Sequence, residues 1–414
     1  MKKILTIAFR NLRRYRRRTL LTASLVMLGV LSVLLFTSVT GSFKQMMIGQ
    51  ITDAMLGHIQ IHQKGFLAAI DTLPLNRNLK DTQVDKVRAV LDNSDAVAAY
   101  STRLKFGAMF STFAETTNIR LNGVDPDREL QTVPLLGDRI SGRDKPGLLA
   151  KGEILVPKLL ATGMKVGVGD TVVLVATNKD GSVNGQNFVI GGIVEALSGP
   201  GGRDGYIHIE DARSLLRIET DEVSEVAVRL SDIGLLKNTT ATLAKELATL
   251  RGKEDKPLFE IHSWQELTPF FNIVKMIDVM TFFIKIMLVA IVLVSIMNVM
   301  VMAVYERINE IGTIAAIGTG PGKIMALFLS EGLLLGIIGA ALGIVVFLAA
   351  VAVLNVVPIS FDFGQQKGLL LEPAISFAEI VSISLIVVAI SVLGSLQPAW
   401  KAATMDPITA LRHV

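Results

Sequence analysis

Four long apolar runs punctuate this chain: Leu20 to about Thr40, Thr281–Val304, Ile324–Val357 and Ser376–Gln397. Each helical residue adds ~1.5 Å, so about 20 apolar residues cross the ~30 Å hydrocarbon layer. All four runs are long enough. The first has no charge and continues into Phe43, Met46, Met47 and Ile48 without a small-residue cleavage site, so it reads as a retained anchor rather than a signal peptide. Between the first and second runs the pattern changes to short alternating segments. Residues 172–177, 188–195, 206–210 and 226–230 read as strands, the first two joined through Asp180-Gly181 and Asn184-Gly185. Residues 82–92 and 236–251 space their apolar positions as amphipathic helices do. The predicted class is an α-helical integral membrane protein with four transmembrane helices, one plus three, and a large α+β extracytoplasmic domain after the first.

The expected boundaries are a basic arm at 1–19, a first span with its outer extension at 20–48, and a two-lobed outer domain at 49–277. The second span is placed at 278–304, a coupling helix at 305–323 and the third span at 324–357. An outer loop at 358–375, a fourth span at 376–397 and a tail at 398–414 complete the chain. Charge sets the orientation. Lys2, Lys3, Arg10, Arg13, Arg14, Arg16, Arg17 and Arg18 crowd the first 18 residues with no acid among them, which holds the N-terminus in the cytoplasm. Four crossings return the C-terminus there and leave the outer domain in the periplasm, for a bacterial inner membrane. Since the basic run adjoins a span, its partners are membrane lipids, and no nucleic acid is expected. The chain has no cysteine and five scattered histidines, so neither disulfides nor thiolate chemistry contribute.

Residues 305–318 predict a short amphipathic cytoplasmic helix, with Glu306, Arg307 and Glu310 at its polar start and Ile311, Ile314, Ala315 and Ile317 on its apolar side. Charges at one end of a helix below the membrane suit docking onto a cytoplasmic partner. Glu-Arg-x-x-Glu-Ile-Gly-x-x-x-Ala-Ile-Gly at 306–318 resembles the coupling segment of the MacB, LolC/LolE and FtsX permeases, the membrane subunits of mechanotransmitting ABC systems. Ala8-Phe-Arg-Asn-Leu-Arg-Arg14, Glu331-Gly332-Leu333, and Pro398 through Arg412 are similar to other signatures of that family. So are Gly152-Glu-Ile-Leu-Val-Pro-Lys-Leu-Leu-Ala161 and Val166-Gly-Val-Gly-Asp170 in the outer domain, and the likeness covers essentially the whole chain.

The resemblance implies a permease dimer, homo- or heteromeric, closed by ATP binding in two copies of a separate ABC ATPase subunit. Its coupling contacts would be Glu306, Arg307, Glu310, Ile311, Gly312, Ala316 and Gly318. The chain contains no Walker A sequence: Gly318-Thr-Gly-Pro-Gly-Lys-Ile324 lacks both the glycine spacing and the Ser or Thr after lysine. No catalytic residue, metal or cofactor is therefore expected in this chain, with ATP and Mg held by the ATPase partner. Length, four spans and Gly57-His-Ile-Gln-Ile-His62 are most like the LolC/LolE members, which implies extraction of lipoproteins for a periplasmic carrier protein. A MacB-like exporter with a periplasmic adaptor and an FtsX-like regulator of a periplasmic hydrolase are the alternatives.

Extracting an acylated cargo forfeits ~0.8 kcal/mol per buried CH₂, so an apolar refuge is needed. Phe36, Val39, Phe43, Met46 and Met47 after the first span, with Phe270, Phe271, Met276 and Phe282 before the second, are the candidate acyl contacts; methionine and phenylalanine suit irregular chains. Other features carry simpler readings. His58, Gln60 and His62 would share a solvated strand face, and Asp125-Pro126-Asp127 a turn. Glu331, a carboxylate inside the third run, needs a partner, with Arg307, Lys323 and the N-terminal arm available. Gly336, Gly339 and Gly343 predict close helix packing, and Gly199–Gly205 reads as a connecting loop.

Overall fold

The computed structural model describes residues 2–112, 114–143, 146–195, 204–249, 257–357, 359–363, 366–371, 373 and 375–412. The run 199–203 therefore lies outside the described residues. The chain divides into two compact units: Met1–Gln45, Lys275–Ser360 and Leu370–Val414 form the first, Met46–Val274 and Phe361–Leu369 the second.

The helices of the first unit are α1 (Lys2–Arg14) and α2 (Arg16–Ile51), and those that return after the outer domain. Among the described residues four helices are long and apolar enough to cross a membrane. At ~1.5 Å per residue the 36 residues of the third, Pro321–Val356, extend about 54 Å, well beyond the ~30 Å hydrocarbon layer. Its glycines settle their neighbours within the subunit. A Cβ on Gly336 would come within 2.7 Å of the Ser391 side chain, while Cβ atoms on Gly339 and Gly343 would meet Val26 and Val30 of α2 at 2.5 and 2.7 Å. Small residues thus let this helix touch two neighbours at backbone distance. The bundle core gathers Val26, Val30, Leu34, Val292, Ile296, Phe328 and Phe347.

The second unit holds β1 (Ile59–Gln63), α3 (Asp81–Asp92), β2 (Val97–Ser111), β3 (Thr116–Val124), α4 (Pro126–Thr132), β4 (Ile140–Ser141), β5 (Glu153–Pro157), α5 (Lys158–Gly163), β6 (Thr171–Thr177), β7 (Val183–Val194), β8 (Asp204–His208), α6 (Ile209–Leu216), β9 (Glu225–Leu230), α7 (Leu236–Ala248), β10 (Phe259–Ser263) and α8 (Trp264–Leu267). Strand order explains two of its cores. β2 pairs with β3, β3 with β8, β8 with β5, β5 with β7, β7 with β6, and β6 returns to β2, closing a six-stranded barrel. Alternate residues of β2, Leu104, Phe106, Ala108 and Phe110, fill its interior with Leu174, Phe188, Ile190 and Ile207. The first half of β2 instead joins β9, β1 and β10 in an antiparallel sheet. Val84, Val87 and Leu91 of α3 and Leu243 and Leu247 of α7 share that sheet's core with Ile59, Ile61, Val226 and Val228.

The remaining elements are α9 (Phe270–Glu306), α10 (Ile308–Ala316), α11 (Pro321–Val356), the hairpin of β11 (Ile359–Phe363) and β12 (Gln366–Leu371), α12 (Phe377–Ala403) and α13 (Pro407–Arg412). Several local expectations change. Residues 209–210 begin α6 rather than end a strand, because His208 Nδ1 accepts the Glu210 amide and caps the helix. Asp125 likewise caps α4, accepting from the Asp127 and Arg128 amides with Pro126 at the first helical position. Asn184-Gly185 lies within β7, and the connection from β6 runs through residues 178–182. His58, Gln60 and His62 are buried, not solvated: His58 and Gln60 bond the Leu230 amide and the Leu56 carbonyl, and His62 stacks on Phe66 at 5.3 Å. Gly57 turns the chain from α2 into that strand with φ 72°, and a Cβ there would press the Val228 carbonyl at 3.1 Å.

Candidate functional site: the coupling segment

The predicted helix 305–318 is broken at Arg307, where α9 ends and α10 begins. The break turns the guanidinium inward. Arg307 is 4% exposed, lies 5.5 Å over the Phe328 ring and 5.7 Å over that of Tyr15, and donates to Glu331 at 2.8 Å and Glu310 at 2.9 Å. A planar, weakly hydrated guanidinium suits both the rings and two carboxylates. Glu331, fully buried in α11, also accepts from Asn11 Nδ2 at 2.8 Å, with Arg18 at 3.9 Å. One carboxylate therefore joins α1, α2, the α9–α10 break and α11.

Glu310 closes the cluster. It accepts the Tyr15 hydroxyl at 3.0 Å and faces Arg14 at 3.6 Å. Partial burial pushes this carboxyl up, but Arg307 and Tyr15 outweigh it and hold it below its ordinary value. Glu306 remains half-exposed beside Arg18 at 3.5 Å.

Seven residues were expected to contact the ATPase, and the structure separates them. Arg307, Ile311 and Gly312 face inward, so they cannot form the outer contact surface. Arg307 is held by carboxylates, Ile311 belongs to the bundle core, and a Cβ on Gly312 would meet Ala410 of α13 at 2.8 Å. Glu306, Ala316 and Gly318 are exposed, and Glu310 partly so. Beside them stand Ile314 and Ile317, the latter 80% exposed, and Ile408 and Leu411 of α13. Sequence reasoning did not find Asn11, Tyr15 or the seat of α13 under α10. Aromatic Tyr15 in a basic run was the available signal.

The acyl candidates also separate. Phe270 and Phe271 pack with the sheet core of the outer domain, Phe271 edge-on to Trp264 at 5.8 Å, and Met47 is buried. These three are spoken for by protein contacts. Phe36, Val39, Phe43 and Met46 are half-buried along α2, whereas Met276 and Phe282 are more than half exposed on α9.

The family models and relatives assign this combination of long apolar helices and an α+β domain to the ABC-transporter permeases. Residues 19–248 match the MacB-like periplasmic core domain and residues 282–407 the FtsX-like permease C-terminal region. The first match spans more than half of the 414 residues, and the chain belongs to this MacB/FtsX-type permease family. It is 22% identical to the lipoprotein-releasing system transmembrane protein LolC of Neisseria meningitidis serogroup B, over 95% of this chain and 94% of that protein. To LolC of Xylella fastidiosa it is 24% identical over 71% and 72%. A crystal structure of the periplasmic region of MacB from Actinobacillus actinomycetemcomitans aligns with 52% of this chain and 92% of that one at 11% identity and a TM-score of 0.36.

Proposed function

We propose that the chain is the membrane subunit of a lipoprotein-releasing ABC transporter. It works as a dimer with two copies of a separate ATPase, both termini lie in the cytoplasm, and the outer domain lies in the periplasm. The observation that carries this reading is the likeness to LolC along nearly the full length of both chains. The coupling segment supports a transmitting role. Closure of the ATPase pair would press on Glu306, Ala316 and Gly318 with Ile317. The Glu331 tie would pass that movement from Arg307 into α11 and α1 together, since Glu331 stands on α11 and its partner Asn11 on α1. Exposed Met276 and Phe282 would offer apolar surface to a departing acyl chain, which gains ~0.8 kcal/mol per CH₂ it keeps from water. A periplasmic carrier would then receive the lipoprotein.

The test is affinity purification of the full chain in nanodiscs without nucleotide, followed by mass spectrometry of bound protein. Acylated lipoproteins that leave on adding ATP are the expected result. A periplasmic adaptor with long heptad repeats in their place would move the assignment to MacB-like efflux, and a peptidoglycan hydrolase would move it to FtsX-like regulation.

A further inference from the structure

Beneath α1 lies a cavity of about 320 Å³, within the range of small-molecule sites at roughly 300–1,000 Å³. Ile4 and Ile7 of α1, Ile314 of α10, and Leu327 and Phe328 of α11 line it, and the Arg307–Glu310 pair, neutralised within itself, also borders it. Helical spacing divides α1 around this cavity. Ile4, Ala8, Asn11 and Leu12 form its inner face, with Ala8 and Leu12 buried. Leu5 and Phe9 form an exposed apolar flank. Lys3, Ile7, Arg10 and Arg14 make a stripe on the opposite flank, so cations border the cavity-lining Ile7. Lys323, also in the cavity wall, stands in the first turn of α11. Among the described residues Lys3, Arg10 and Lys323 enter no ion pair, whereas Arg14, Arg18 and Arg307 are matched with carboxylates.

Apolar walls with unmatched cations at the rim, on a helix whose other flank is apolar, complement an anionic amphiphile. We propose that this cavity binds an anionic phospholipid of the adjoining leaflet, with an acyl chain between α1 and α11 and the headgroup phosphate at Lys3, Arg10 and Lys323. The same lipid would touch Ile314, and so would brace the coupling helix from its membrane side. The inference rests on the topology proposed above but not on the cargo, so its test is independent of lipoprotein release.

The full chain is reconstituted in nanodiscs of phosphatidylethanolamine and phosphatidylglycerol, re-extracted in mild detergent, and its retained lipid quantified by mass spectrometry. The wild type should retain phosphatidylglycerol above its share of the bilayer. The exposed-charge variant K3Q/R10Q/K323Q should lose at least about fivefold of that enrichment, as expected for removing surface cations facing anionic lipid, with an unchanged melting temperature. Leu327→Trp, which fills the cavity and keeps every cation, should displace the same lipid. Retention at the bilayer ratio by the wild type, or undiminished enrichment in the charge variant, would overturn the proposal. Loss in the charge variant with full retention in Leu327→Trp would overturn the cavity, leaving only headgroups on the surface of α1.

Discussion

Both units bury a glutamate against arginine, and the two clusters are built differently. In the outer domain Glu225 is fully buried and meets Arg103 at 3.0 Å, Lys105 at 2.8 Å and His62 at 3.3 Å, while Arg103 also holds buried Glu129 at 2.7 Å. Glu225, Arg103, Lys105 and His62 stand on β9, β2 and β1, strands locked by a continuous ladder. Glu331 takes its partners instead from a helix break, a terminal helix and the start of α2. The first cluster fastens what the backbone already holds. The second fastens segments whose backbones share no ladder, so its side chains carry the connection. Equal chemistry therefore serves rigidity in one place and linkage in the other.

The largest effect should come from Glu225→Ala, which strands Arg103 and Lys105 beside one remaining carboxylate. Breaking a buried pair costs ~3–5 kcal/mol, and thermal unfolding of the full chain in detergent should show the outer-domain transition fall accordingly. A loss under ~1 kcal/mol would equate it with a surface pair. Acid probes the same group. Burial alone would raise the Glu225 carboxyl, but Lys105, His62 and Arg103 reverse this and hold it well below its ordinary value. Its stabilisation is thus complete above the unfolded value, about pH 4.3, and fades as pH falls toward the folded value. Wild type should therefore lose stability below about pH 4.3 more steeply than Glu225→Gln; parallel curves would refute the assignment.

A smaller and more local effect is expected from Glu331→Gln, which keeps the shape but removes the charge facing Arg307. Amide exchange across 308–316 should quicken about tenfold, equivalent to ~1.4 kcal/mol, with the outer domain unaltered. Equal exchange in mutant and wild type would show that the tie does not hold α10. The smallest change in stability, within ~0.5 kcal/mol for an exposed site, belongs to Ile317→Asp. Its readout is co-purification with the ATPase subunit, which should be lost; retained binding at wild-type yield would remove Ile317 from the docking face.

Features with strong local signals were legible in the sequence. The four long helices follow from uninterrupted apolar length, and Glu331 stood out as a carboxylate in such a run, with Arg307 among the partners its chemistry required. Long-range pairing was not legible. The ring of strands closes through β6 returning to β2, residues 173–176 against 108–111, which no local pattern encodes. His58, Gln60 and His62 misled for a related reason: alternation normally marks one wet face, but β1 is covered on both faces. His58 Nδ1 accepts the Leu230 amide, and Gln60 donates to the Leu56 carbonyl. In the coupling segment, apolar periodicity described a single helix, whereas the helix breaks at Arg307, which turns inward onto buried Glu331 and partly exposed Glu310.

β2 takes part in two cores of the outer domain, its first half in the open sheet and its second in the barrel. Mechanically it is a shared beam. Tension along its length would load its flanking hydrogen bonds together in shear, not one after another as in peeling. The barrel and the open sheet should consequently answer a pull as a single stiff body, and their separation would require β2 itself to yield.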